Sequence, residues 1–303
     1  MAVKTVQAII NGQTHTLTYN SGTKRYEATI TAPAKSSYPL SGHYYPVTLK
    51  ATDDAGNITT VDAKDPTFGT KLQLKVKEKV APEIVITYPT ASAVIINNKP
   101  VIKFKVTDSD SGVDPATIGV TVDSGSKITG DKIIKSQVSG GYECSFTPDT
   151  ALADGQHTIK VDASDFDGNA AAQKTVTFKV DTVPPTLNIT SPAEGLVTNT
   201  SSVVVSGKTN DATSSPVRLT VKLNGGSAES VEVSGDGSFT KSLTLASGRN
   251  TITVVATDSA GKSTTVVRNV TLDTGAPVIQ SITITPNPVD AGKTYVISVE
   301  VTD

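Results

Sequence analysis

Apolar residues recur at every second position along much of this chain, with Thr, Ser, Lys or Asp between them. One stretch makes the pattern plain because it occurs three times: Val47-Thr48-Leu49-Lys50-Ala51-Thr52-Asp53, Ile159-Lys160-Val161-Asp162-Ala163-Ser164-Asp165 and Ile252-Thr253-Val254-Val255-Ala256-Thr257-Asp258. Spacing of two puts the apolar side chains on one face of an extended chain, which predicts a half-buried strand in each copy. Each copy runs into Asp-x-x-Gly, reaching Gly56-Asn57, Gly168-Asn169 and Gly261-Lys262. Asp hydrogen-bonds forward to backbone and Gly accepts positive φ, so a tight turn follows and the next strand begins at once.

A second recurring phrase marks joints. Val80-Ala81-Pro82-Glu83-Ile84, Asp181-Thr182-Val183-Pro184-Pro185-Thr186-Leu187 and Asp273-Thr274-Gly275-Ala276-Pro277-Val278-Ile279 each separate two strand-like runs. Proline fixes φ and pushes its predecessor toward extended geometry, so these read as short, stiff linkers between modules of about one hundred residues. Within 183–274 the pattern predicts seven strands, from Thr186 to Thr190, Ser202 to Gly207, Val217 to Asn224, Glu229 to Val233, Ser238 to Leu243, Arg249 to Thr257 and Ser263 to Leu272. No helical period competes with them. The expected fold is all-β: tandem immunoglobulin-like β-sandwiches in an elongated rod. The expected modules are 1–79, lacking its first two strands, then 80–182 and 183–274, with 275–303 supplying the first two strands of a further module.

Composition narrows the chemistry. Lys and Arg total 27 against 29 Asp and Glu, a net charge of −2, so no basic surface calls for nucleic acid or an anionic membrane. The single Cys144 forbids a disulfide within the chain, and in Tyr142-Glu143-Cys144-Ser145-Phe146 it alternates onto the apolar side as a small core residue. Three His, no Trp, and neither a G-x-S-x-G elbow nor a Ser, His and Asp set at strand ends point away from an enzyme. No apolar run approaches the length of a membrane-spanning helix, so no membrane insertion is expected. Met1-Ala2-Val3-Lys4-Thr5-Val6-Gln7 carries no apolar signal core, and the expectation is a chain made without a visible signal peptide.

Together the V-x-A-T-D-x-x-G-N and D-T-x-P-P phrases resemble the bacterial immunoglobulin-like repeats of large surface adhesins, secreted polysaccharide-degrading enzymes and tailed-phage virion proteins. The resemblance covers nearly the whole chain. It implies a non-enzymatic structural component, of a phage or prophage virion (tail, fibre or decoration) or another extracellular assembly, or alternatively a cell-surface adhesin or glycan-binding stalk. Such folds serve many functions, so the chemistry must come from particular residues.

Three candidate sites stand out. Asp108, Asp110, Asp181 and Asp273 lie near module ends, where oxygen ligands could hold calcium. Turn-forming Asp explains them without an ion, so no cofactor is expected and metal is expected to be dispensable. The segment from Lys35 to Pro46 gathers Tyr38, His43, Tyr44 and Tyr45, a possible ligand loop for a host-surface glycan. There the competing expectation is that Tyr44 or Tyr45 makes a local hydrogen-bonded corner while Tyr38 covers a core edge.

The third candidate is assembly. Asp108, Asp211 and Asp303 each stand 26 residues beyond Pro82, Pro185 and Pro277, so 275–303 holds the opening strands of a module. Val3 to Gly12 resembles Val217 to Gly225, the third strand of a module, so 1–79 lacks just those strands. A donor set of Ile282, Ile284, Ile297, Val299 and Val301 is expected to complete an acceptor set of Ile30, Val47, Leu49 and Ala51 on a second copy. The expected partner is the chain itself, as a head-to-tail homopolymer, with other virion proteins possible.

Overall fold

A computed structural model describes residues 2–303 and divides them into two compact units, one reaching Val180 and one spanning Asp181–Asp303. Strands dominate both, as the alternation predicts.

In the first unit the opening module is one sheet. It contains β1 (Val3–Ile10), β2 (Gln13–Asn20), β3 (Arg25–Glu27), β4 (Tyr45–Asp53), β5 (Ile58–Val61) and the two-residue β6 (Gln73–Leu74). The order is β3-β2-β1-β4-β5, with β6 added beside β4. Antiparallel pairing sets Val6 against Ala51, Ala8 against Leu49 and Ile10 against Val47, which gathers the apolar positions of the repeated phrase on one face.

The second module follows as β7 (Glu83–Tyr88), β8 (Val94–Ile95), β9 (Ile102–Thr107), β10 (Val113–Val122), β11 (Ile133–Val138), β12 (Gly141–Phe146), β13 (Gly155–Asp165) and β14 (Lys174–Val180). Two sheets form, β10-β13-β14-β8 and β11-β12-β9-β7. Between them lies a core that includes Ile84, Phe104, Val106, Val120, Ile159, Val161 and Phe178. Each such aliphatic side chain taken out of water stabilises the fold by about 1.5 to 3 kcal/mol.

The second unit holds β15 (Thr186–Ser191), β16 (Leu196–Thr198), β17 (Ser202–Asn210), β18 (Arg218–Leu223), β19 (Glu229–Val231), β20 (Ser238–Thr244), β21 (Gly248–Thr257) and β22 (Ser263–Leu272). These make the sheets β15-β17-β20 and β16-β22-β21-β18-β19 around Val205, Leu219, Val221, Ile252, Val254 and Ala256. At Gly207 a Cβ would fall 2.2 Å from the carbonyl oxygen of Asn188, so only glycine lets β17 lie that close to β15. Last come β23 (Val278–Thr285) and β24 (Val296–Thr302), which pair with each other.

One feature differs from the sequence expectation. The short strands β8 and β16 pair in parallel with β14 and β22, a pairing that alternation does not announce. Asp181 bonds forward into the second unit, accepting from the Ser214 hydroxyl and the Val183 amide.

Candidate functional site

The repeated phrase is packed differently in its three copies. Ile159, Val161, Ile252, Val254 and Ala256 are 0% exposed and Ala163 4%, because a second sheet lies over them. Val47, Leu49 and Ala51 are only half-buried. Ile30, expected on the same face, lies beyond β3 outside any strand and is half-buried too.

The β23–β24 hairpin shows the converse. Its register begins with Val278 opposite Thr302, just as Glu83 faces Thr107 and Thr186 faces Asn210. Counted back from the closing Asp, Ile297, Val299 and Val301 occupy the positions of Ile102, Phe104 and Val106. Those three are 0 to 2% exposed in the second module, whereas Ile297, Val299 and Val301 are 55, 47 and 52% exposed. Ile282 and Ile284, paired with Val299 and Ile297, are exposed as well.

Loop aromatics are engaged with their own module and the next. Tyr38 stacks on Phe166 with ring centroids 4.2 Å apart and planes 8° from parallel, and His43 stacks on Tyr38 at the same separation. Buried Tyr45 donates its hydroxyl to the carbonyl of Lys35 at 3.2 Å, while Tyr44 is half-buried. Nearby, Asp110 accepts from the Ser36 amide and Asp167 from the Glu78 amide.

Two groups of carboxylates recur at equivalent places. In the first unit Glu78, Asp108 and Asp165 each bring an oxygen within 4.8 Å of the others; in the second, Asp181, Asp211 and Asp258 do the same. Each set joins a linker acid, the Asp ending the module's second long strand and the Asp opening the repeated turn. At an effective dielectric of ~20, two unit charges that close repel by about 3 to 4 kcal/mol, so each group calls for compensation. Asp108 Oδ1 obtains it from the amides of Asp110 and Gly112, and Glu78 from the amide of Ser111. Asp211 Oδ1 accepts from the amides of Thr213 and Ser214. Asp273 and Asp110 stand outside these groups, and Asp273 accepts from the Gly275 amide.

The turn itself has one design. Gly56, Gly168 and Gly261 take φ of 87°, 91° and 87°, and each amide donates to the carbonyl of Asp53, Asp165 or Asp258. Asn57 and Asn169 then cap both oxygens of their Asp, backbone amide to Oδ1 and side-chain amide to Oδ2, at 2.7 to 2.8 Å. These bonds hold the Asp53 carboxyl below its ordinary value. Lys262 offers only its backbone amide, at 2.8 Å, to Asp258 Oδ1. Asp258 Oδ2 is left buried without a hydrogen bond.

Sequence reasoning placed Asp108 and Asp181 as calcium candidates and Asp165 in the acidic turn, but did not single out Glu78, Asp211 or Asp258, which the fold brings beside them. Cys144 lies 4% exposed in the core, and burial pushes its thiol up to about 11, so it is a packing residue rather than a nucleophile.

With the geometry in place, known proteins resolve the class. Residues 90–182 match the family described as the bacterial Ig-like domain, and residues 185–274 match glucodextranase, domain B. The bacterial Ig-like match falls on the second module and the glucodextranase domain B match on the third, and both modules are two-sheet β-sandwiches. Bacillopeptidase F of Bacillus subtilis (strain 168) is 31% identical over 131 residues, which is 43% of this chain and 9% of that protein's length. Among solved structures, the fibronectin(III)-like modules of Clostridium thermocellum CbhA superpose with a TM-score of 0.37 at 17% identity, over 63% of this chain and 94% of theirs. Titin domains A168–A170 give 0.44 at 14% identity, over 88% of this chain and 86% of theirs. No helix among the described residues is long and apolar enough to cross a membrane.

Proposed function

We propose that this chain is a non-catalytic, fibre-forming structural protein whose copies join head to tail, the β23–β24 hairpin of one copy seating on the β1–β4 face of the next. The observation that carries the reading is the inversion of burial at matched positions. Ile102, Phe104 and Val106 are buried where Ile297, Val299 and Val301 are exposed, while the repeated phrase is covered in two modules and half-covered in the first. A hairpin in module register with an uncovered apolar face fits the kind of surface that the first module presents, and a contact between different surfaces that does not close propagates as a fibre. Unpaired strand edges and apolar faces are normally covered in stable proteins.

A mixing experiment tests this. Chains carrying Ile297→Asp and Val299→Asp lose the donor, and chains carrying Leu49→Asp lose the acceptor. Each alone stays monomeric, and the two mixed form a capped dimer through the one intact pair of surfaces. Unchanged association of the donor variant, whose altered side chains are exposed and bear no folding load, contradicts the proposal. Gene neighbourhood assigns the setting: portal, capsid and tail genes mark a virion part, a sortase or secretion locus a surface stalk. The glycan-binding alternative loses support from the Tyr38 stack on Phe166, which occupies one face of the ring most suited to a sugar.

A further inference from the structure

We propose that Asp181, Asp211 and Asp258 form a calcium site in the third module, and that Lys262, standing where the other turns carry Asn, is what leaves it open. The inference is independent of assembly between copies. Three carboxylate oxygens lie within 4.8 Å of one another, and oxygens each about 2.4 Å from one ion can be no more than about 4.8 Å apart. All three donors are hard oxygens with no imidazole or thiolate among them, which selects calcium over zinc. Asp181, Asp211 and Asp258 are 1, 9 and 4% exposed, so the group is withdrawn from bulk water apart from an approach at Asp211.

Besides a linker Asp in place of Glu78, this cluster differs from its counterpart at Glu78, Asp108 and Asp165 in the residue that caps the turn Asp. Asn169 caps Asp165 Oδ2 at 2.7 Å, whereas Asp258 Oδ2 is buried with no partner. Native proteins rarely leave a buried carboxylate oxygen unsatisfied, and a cation bound there satisfies it. Ser111 Oγ is also buried and unpartnered beside the first cluster, but it is a neutral hydroxyl whose desolvation is far less costly. Calcium takes six to eight oxygens, so backbone carbonyls and waters supply the rest. Bound there, the ion ties the linker acid, the end of β17 and the turn after β21 together, and the Asp273 and Asp110 candidates play no part.

The test is calorimetric titration of calcium into the full chain, stripped beforehand with a chelator, for the parent, Asp258→Asn and Lys262→Asn. The parent is expected to bind calcium with a dissociation constant of roughly millimolar or below, with a rise in its thermal midpoint. Asp258→Asn is expected to lose one equivalent. Lys262→Asn rebuilds the turn of the other two modules, so it folds, and it is expected to weaken that equivalent by roughly tenfold or more. Three results overturn the proposal: no binding by the parent at several-fold millimolar calcium, full stoichiometry in a folded Asp258→Asn, or parental affinity in Lys262→Asn.

Discussion

Tyr38 and Phe166 lie face to face, centroids 4.2 Å apart and planes 8° from parallel, although they belong to successive modules of the same compact unit. Stacked pairs contribute about 0.5 to 1.5 kcal/mol beyond the area they bury. Tyr38→Ala and Phe166→Ala are each expected to lower the thermal midpoint of the first unit. In the double variant the losses should fall short of their sum by about that amount, and strict additivity would show that the rings do not interact.

The Asp-x-x-Gly-Asn turn makes a graded prediction. Asn169→Ala removes the amide that caps buried Asp165 and strands a desolvated carboxylate oxygen, at a cost of about 1.5 to 3 kcal/mol. Asn57→Ala makes the same deletion at an exposed turn, where water replaces the amide and the cost is well under that. Denaturant unfolding of the two variants measures the difference, and equal losses would show that burial is not what matters.

Much of this architecture was legible in the sequence. Alternation in the repeated phrase located β4, β13 and β21. Parallel strands β8 and β16 were not legible, because two or three residues carry no period and their partners lie some eighty residues on. Nor could the carboxylate groups be read, since Asp181, Asp211 and Asp258 are brought together by the closed sandwich alone. The change from Asn169 to Lys262 was plain to see, but it gains meaning only once Asp258 is known to be buried. Tyr38, read from sequence either as an edge cover or as part of a ligand loop, needed Phe166 before its place could be assigned.

His157 supplies a pH dependence. Burial favours the neutral ring, yet the Ala153 carbonyl and the Asp123 carboxylate, both within hydrogen-bond reach, hold the imidazole above its ordinary value. Because the folded value lies above the unfolded one, the protonated ring's contribution is fully present below about pH 6.5 and is lost as the pH rises through the folded value. The stability gap between the parent and His157→Gln is therefore expected to narrow as the pH rises from about 6.5 through the folded value. A gap that widens over that range contradicts the assignment.

Sedimentation velocity over a rising concentration series tests the central claim most directly, comparing the full chain with one lacking residues 275–303. Head-to-tail complementation predicts a mass distribution that lengthens with concentration in the full chain and a single monomer boundary, with unchanged strand content by circular dichroism, in the truncated one. A full chain that stays monomeric at every concentration, or a truncated chain that associates equally well, contradicts it.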